Sequence, residues 1–344
     1  MQNKLPLYIF LSLIALILLA ITSLYMGVYE FEKHSFLEIF VALWNDDNSI
    51  PASDKFVLVN LRLPRIVMAI LVGSALAVSG TCLQGMFKNP LASPDLIGIT
   101  MGASLFAAIS IVLGSYIKPY IPEFFHFSML SIAAFIGALL TMTMVYRIST
   151  TNGKTNVIVM LLSGVAITAM AGATTGFLIY LSKEEQLRDL TFWNLGSLGG
   201  ASWTKNGILA VIILFAFSIL ITKGKALNAM MLGERDAQHL GIPVEKIKKR
   251  IVVLTALMVG TCVAFSGTIG FVGLIVPYIL RLIFKSNYHI ILPMSAIFGS
   301  ILLLSADTIS RTIAAPSEIP IGILTAFMGA PIFIIILIRS KNSM

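Results

Sequence analysis

The residues best equipped for chemistry in this chain are few and lie apart. Gly153-Lys-Thr155 ends like a phosphate-binding loop, but Ile148 stands where that motif needs its first glycine and no strand leads into it. Cys82 and Cys262 both fall within apolar runs, where cysteine behaves as a small packed hydrophobe rather than a disulfide or metal ligand. His34, His126, His239 and His289 lie in loops or at the ends of apolar runs, so none offers itself as a mid-membrane ligand. No pair of catalytic carboxylates, Ser/His arrangement or metal cluster falls inside those runs. What remains is charge with a definite address: Arg62-Leu-Pro-Arg65, Asp307 one helical turn from Arg311, and a basic stretch over 223–250. Arginine makes bidentate, charge-assisted pairs with carboxylates, so the first motif suits an acidic partner as well as it suits snorkelling at an interface. The spacing of Asp307 and Arg311 makes a local ion pair the simple reading there.

The elements that hold these residues are set by composition. The 344 residues are 57% hydrophobic and 12% charged, with a mean hydropathy of +0.93. A soluble domain carries about 25% charged residues, so the chain reads as an all-α polytopic membrane protein. Uninterrupted apolar stretches cover 7–28, 66–83, 96–115, 127–146, 157–181, 207–222, 251–267, 271–284, 290–306 and 319–338. Ten spans in one transmembrane domain, 1–344, leave no room for a soluble catalytic domain. The run over 7–28 follows Lys4, but it exceeds a signal h-region and no small-x-small site follows it, so it is expected to stay as the first span. The stretch 271–284 is the shortest and contains Pro277 and Arg281.

An even number of spans places both termini on one side, and the positive-inside rule makes that side cytoplasmic. Most of the 24 basic residues then lie inside, with only Asp95, Glu234, Asp236 and Glu245 of the 16 acidic ones. Topology alone therefore accounts for the net charge of +8, and nucleic-acid binding is not needed to explain it. The outer loop 29–65 is long and acidic until its Arg-Leu-Pro-Arg end. In the inner loop 223–250, residues 226–241 read as a short helix stopped at Gly241-Ile-Pro243. A structured inner loop suggests a partner that binds there.

The chain also repeats itself. Residues 70–81 read ILVGSALAVSGT and residues 257–268 read LMVGTCVAFSGT, with six identities in register from Gly73 to Gly260. The second and seventh spans carry these copies and run in opposite directions. Spans 2–5 and 7–10 thus form an inverted repeat, an arrangement suited to alternating access. Gly and Pro after each copy, in 84–94 and 270–277, mark irregular backbone, which membrane depth tolerates only where it is buried in protein or lines a cavity. Gly164, Gly172 and Gly176 on the fifth span include a helix-packing spacing. An ion-coupled carrier would place ionisable groups in mid-span, and the span interiors hold essentially none. The energy must come from a partner, and 223–250 is where an ATPase could push.

These residues resemble, over essentially the whole chain, the permease subunits of ABC importers for iron–siderophore complexes, haem and cobalamin, the FecCD family. The resemblance rests on Arg62-Leu-Pro-Arg65, Val72-Gly73, Gln84-Gly85, Asn89-Pro-Leu-Ala92 with Pro94, Phe192-Trp193 with 196–200, and Leu232-Gly233 with Ala237 and Leu240-Gly241. It continues through Gly267, 271–274, Pro277, Arg281, Leu292-Pro293, Ala306-Asp307, Arg311 and 318–322. Tyr278 departs from the family's usual histidine. The resemblance implies a type II ABC importer permease fold in a bacterial cytoplasmic membrane. It implies a second permease copy, two ATP-binding cassette subunits and a substrate-binding protein as partners. It also implies that the chain binds no cofactor of its own, ATP and Mg belonging to the ATPase. By the same resemblance Arg62, Arg65 and Arg311 would dock the binding protein. Leu232, Gly233, Glu234, Arg235, Ala237, Leu240 and Gly241 would engage the ATPase, and Asn89 and Leu91 would belong to an inner gate. The expected cargo is haem or a ferric siderophore, with cobalamin as the alternative.

Overall fold

The computed structural model describes residues 5–29, 31, 36–45, 50–126 and 128–341, so Lys4 and His34 lie outside the described residues. Helix α1 (Leu5–Tyr25) precedes a short amphipathic helix α2 (Phe36–Trp44), and α3 (Ala52–Phe56) leads through a π-helical turn, Val57–Arg62, into α4 (Leu63–Phe87). There follow α5 (Ile99–Val112), α6 (Gly114–Ile117), α7 (Met129–Ser149), a two-stranded hairpin of β1 (Thr150–Thr151) and β2 (Lys154–Thr155), and α8 (Val157–Leu181). The second half holds α9 (Glu184–Leu195), α10 (Trp203–Ile221), α11 (Gly224–Leu232), α12 (Glu234–His239), α13 (Val244–Ser266), α14 (Val272–Phe284), α15 (Tyr288–Ser310) and α16 (Ile321–Lys341).

Each predicted span falls on one of these helices or on the bent pair α5–α6. Seven helices are long and apolar enough to cross a bilayer unaided, and α5 with the residues after it would make an eighth with a 69° bend. Of the remaining two, α14 is a shorter apolar helix, as the length of 271–284 predicted, and α16 carries a shorter apolar stretch over Ile321–Ile335. Boundaries shift where polar residues extend a helix beyond its apolar run. Thus α13 starts at Val244 because Glu245 to Arg250 form its first turns, and α4 continues backward through the π turn to Ala52.

That π turn has an identifiable cause. Pro64, in the first turn of α4, has no N–H to return to the preceding turn, and the N–H of Leu63 reaches back to Leu58 O. The carbonyl of Val59, deprived of its backbone donor, accepts Trp203 Nε1 at 2.9 Å, and Asn206 Nδ2 donates to Pro64 O at 2.7 Å. The first turn of α10 therefore completes the backbone bonding of α4.

Contacts between helices carry the inverted repeat further than the twelve matching positions do. With α4, α5, α7 and α8 set against α13, α14, α15 and α16, every packed pair in one half has its counterpart. The α4–α15 contact mirrors α13–α7, α4–α14 mirrors α13–α5, and α5–α7 mirrors α14–α15. Likewise α5–α8 and α7–α8 mirror α14–α16 and α15–α16. The direction is inverted as well. The start of α4 lies with the end of α15, through Arg65 and Asp307, whereas the start of α13 lies with the hairpin that follows α7, through Lys248 and Thr155.

The core is knitted by backbone contact. A Cβ on Gly80 would overlap the carbonyl of Gly273 on α14, and one on Gly73 would overlap that of Gly299 on α15. Helices so close gain dispersion contacts along their whole crossing, the main cohesive term where lipid removes the hydrophobic drive between helices. Cys82 and Cys262 are buried among these apolar side chains.

Candidate functional site

At one end of the bundle the arginines form a knot. Arg65 grips Asp307 with two nitrogens, Nε at 3.0 and 3.1 Å from its two oxygens and Nη2 at 2.9 Å, while Nη1 reaches Glu318 at 2.7 Å. Arg311 lies 3.8 Å from the same carboxylate and donates to Ser23 O and Oγ on α1. Thr308 Oγ1 adds a bond to Ser23 Oγ at 2.9 Å. Arg62 donates to the carbonyls of Leu24, Tyr25 and Tyr29, with its guanidinium carbon 4.5 Å from the centre of the Phe31 ring. It thereby caps the orphan carbonyls at the end of α1, where a cation also suits the helix dipole.

The resemblance implied that Arg62, Arg65 and Arg311 lie at an outer mouth; the structure brings them together at one end of the bundle and gives each an internal task. Arg62 and Arg311 are each only 5% exposed. The expected Asp307–Arg311 pair exists, but it is the longer contact, and the tight partner is Arg65, far away in sequence and out of reach of a spacing argument. Of this cluster Glu318 is the accessible member, at 44% exposure, and it lines two adjoining clefts of about 250 Å³ each with Arg65. Phe192 on α9, 59% exposed, lines one of them.

At the opposite end the predicted helix over 226–241 is two helices, α11 and α12, broken at Gly233. The break turns Leu232 and Leu240 outward, 74% and 65% exposed, with Arg235 exposed between them and Ala237 buried beneath. Gly241 has a φ of 79°, and the bonds Ile242 N to Ala237 O and Gly241 N to Gln238 O close α12 with a left-handed stop. The first helix is clipped to the bundle: Tyr288 N donates to Asn228 Oδ1 at 2.8 Å, Asn228 Nδ2 donates to Asn287 Oδ1 at 3.2 Å, and Gly85 lies against the Tyr288 ring.

The second helix is held by Lys248, whose side chain is 1% exposed. Its Nζ donates to Glu234 at 2.7 Å, Glu245 at 3.2 Å and Thr155 O at 3.0 Å. Glu245 in turn accepts Thr155 N at 2.9 Å. One ammonium thus joins α12, α13 and the hairpin between α7 and α8. This role was not legible from the residues alone, because a lysine in a basic run reads as solvated. Gly153-Lys-Thr155 turns out to be the turn and second strand of that hairpin, with Asn152 and Gly153 in left-handed conformation, the Asn-Gly arrangement favoured in two-residue turns.

Asn89 and Leu91 occupy a local turn, in which Asn89 Oδ1 accepts Leu91 N at 2.9 Å; both side chains are partly exposed. Further along, a cleft of about 620 Å³ is lined by Asn194, Thr268, Phe271, Gly322 and Phe327, between the end of α9, the start of α14 and α16. Most of α8 is exposed, Phe177 and Tyr180 conspicuously, and the position of a Cβ on Gly176 meets no neighbour. Gly176 therefore points away from the packed core, whereas Gly172 lies against Met101 on α5. Ionisable side chains within the apolar helices cluster near the helix ends. Among the described residues no three His, Cys, Asp or Glu side chains are grouped to hold a metal ion.

Comparison with known proteins gives the same architecture. The family described as the FecCD transport family matches residues 14–339. The hemin transport system permease protein HmuU of Yersinia pestis is 39% identical over 330 residues, covering 96% of this chain and 95% of that protein. The vitamin B12 import system permease protein BtuC of Vibrio vulnificus is 38% identical over 328 residues, covering 95% and 93%. A solved inward-facing structure, assigned to the metal-chelate type of ABC transporter, superposes with a TM-score of 0.83 at 30% identity, covering 97% of this chain and 99% of that one.

Proposed function

The chain belongs to the FecCD transport family and is a multi-span membrane permease of an ABC importer, and on that footing we propose that its cargo is an iron complex, haem or a ferric siderophore, passed from a binding protein to the cytoplasm. The observation that carries the cargo reading is the hemin permease relative, similar along nearly the full length of both chains. Cobalamin is the second reading, favoured by the vitamin B12 permease of almost equal similarity.

The geometry supports a division of labour. Among the described residues the spanning helices carry their charged side chains near their ends, so their middles offer a bulky complex few fixed ions to bind. Exposed Leu232 and Leu240, flanking Arg235 on two short helices, form a compact apolar and basic surface for an ATPase subunit, with Gly233, Glu234, Ala237 and Gly241 as its frame. ATP and Mg are held by that subunit and the permease needs no cofactor. At the other end Arg62, Arg65 and Arg311 shape the docking mouth from within, and Arg65 with Glu318 is the part a binding protein would touch. In this reading both termini are cytoplasmic, Asn89 and Leu91 lie by the inner gate, and a second copy of the chain packs against the exposed faces of α8 and α16 to enclose the path.

Reconstitution with the ATPase and binding-protein subunits tests the proposal. Haem-loaded or ferric-siderophore-loaded binding protein is expected to raise ATP hydrolysis and deliver cargo into vesicles, while cobalamin is not. Uptake of cobalamin alone would replace the iron-complex reading, and uptake that needs an ion gradient without ATP would overturn the importer assignment.

A further inference from the structure

The cytoplasmic ends of α10 and α13 enclose a site that none of the roles above uses. Lys246, Lys249 and Arg250, spaced three and four apart on α13, share one face, and Val253 continues that face one turn deeper. With Ile219 from the last turns of α10 and Leu254, these four residues line a cleft of about 540 Å³. All three cations are exposed, and among the described residues none has an ion pair, because the nearby carboxylates of Glu234 and Glu245 are taken by Lys248 on the opposite face of the helix. Val253 is 47% exposed although it belongs to a membrane-spanning helix.

We infer that this cleft binds one anionic phospholipid of the inner leaflet, its phosphate held by Lys246, Lys249 and Arg250 and the start of its acyl chains lying on Ile219, Val253 and Leu254. Three observations point to that occupant. Position comes first: the cleft lies where α13 changes from a charged to an apolar helix and where α10 ends, which is the headgroup plane of a bilayer. Its lining is divided in the same sense, cations toward the aqueous side and aliphatic side chains toward the membrane, whereas a free phosphate would leave the aliphatic floor without a role. Finally, the lining does not include Leu232, Arg235 or Leu240, so the cleft is separate from the surface assigned to the ATPase. Basic pockets between spanning helices on the cytoplasmic side recognise acidic headgroups, each cation near the surface contributing about fivefold in affinity. The inference rests on the proposed orientation, with these ends of α10 and α13 cytoplasmic, and it stands or falls independently of the cargo.

The test is native mass spectrometry of the full chain in neutral detergent, titrated with dioleoyl phosphatidylglycerol or dioleoyl phosphatidylcholine. The parent chain is expected to retain phosphatidylglycerol selectively. The triple variant K246Q/K249Q/R250Q is expected to lose on the order of a hundredfold in affinity for it, with phosphatidylcholine unaffected, while K246R/K249R keeps it. Retention of phosphatidylglycerol by the triple variant overturns the inference, as does its displacement by inorganic phosphate. A triple variant that keeps the lipid but no longer co-purifies with the ATPase would assign the cluster to that protein instead. A measurement on the parent chain covers a variant that does not fold: phosphatidylglycerol should protect Lys246 and Lys249, but not the exposed Lys183, from acetylation, and equal labelling with and without lipid refutes the site.

Discussion

Lys248→Met removes one ammonium and leaves the apolar stem, which makes it a direct test of how α12, part of the surface proposed for the ATPase, communicates with the bundle. Three bonds are lost, and they are unequal. Glu234 and Glu245 have side chains 37% and 28% exposed, so once released they regain water, and each bond there contributes only about 0.5–1 kcal/mol. Thr155 is 5% exposed, and its carbonyl loses this donor where water has little access, costing about 1–2 kcal/mol. The expected loss is about 2–4 kcal/mol, concentrated in the hairpin 150–155 and α12, because α13 itself stays packed through Ile247 and Ile251. Hydrogen exchange read by mass spectrometry should show protection in those two segments falling by a factor on the order of 30 to 1,000, with the middle of α13 unchanged. Glu234→Gln, which loses only an exposed partner, should change exchange in α12 by about fivefold or less. In the reconstituted complex Lys248→Met should still assemble with the ATPase but lose much of the stimulation by binding protein. Unchanged exchange in the hairpin would show that Lys248 holds nothing together and refute the reasoning.

Further outcomes follow from the same geometry. Asp307→Ala leaves the guanidinium groups of Arg65 and Arg311 facing each other in a buried site and should destabilise the chain by about 3–5 kcal/mol, seen as collapse of the monodisperse peak in size-exclusion chromatography; Asp307→Asn should be milder. Gly80→Ala drives a methyl into the carbonyl of Gly273, backbone against backbone, and should lower thermal stability by about 1–3 kcal/mol or more, whereas Gly176→Ala, with open space around it, should leave the isolated chain unchanged. The pair Leu232→Ser and Leu240→Ser should abolish co-purification with the ATPase while the melting temperature of the permease alone stays the same. Burial pushes the carboxyl of Asp95 up, against the opposing bond from Thr100 Oγ1 at 2.5 Å. A carboxyl that holds its proton more tightly folded than unfolded loses stability as pH rises past about 4, so Asp95→Asn should melt with the parent at about pH 4 and above it at about pH 8.

The spans were legible because length and hydropathy act locally, and even the weakness of 271–284 was a true reading of a short α14. The helices α2 and α9 were missed for the opposite reason: each is short, and α9 carries enough charge to read as a loop. The residues of the mouth were legible by type, but their partners were not, since nothing in the sequence near Arg65 points to Asp307 or Glu318. Arg62 was expected at a surface, yet as the last residue of the π turn before Pro64 it reaches back to the end of α1. The break at Gly233 could have been found, because Leu-Gly-Glu interrupts an otherwise helical stretch. Lys248 could not, since only the fold shows that its side chain points away from the cations on either side of it.

The contacts at Gly73 and Gly80 have a mechanical consequence. Where Gly73 meets Gly299 and Gly80 meets Gly273, backbone lies against backbone with nothing compressible between, so α4 cannot slide on α14 or α15 at those points without pulling backbones apart. The three helices form a stator, and the same stator carries Arg65 at one end and Tyr288 at the other. A stroke that opens and closes the path is therefore expected of the elements mounted around it: α8 and α9, which pack on α5 rather than on the block, and α16, which meets the block only through α14 and α15. A spin-label pair between α4 and α15 should hold its separation through a transport cycle while a pair between α4 and α8 changes.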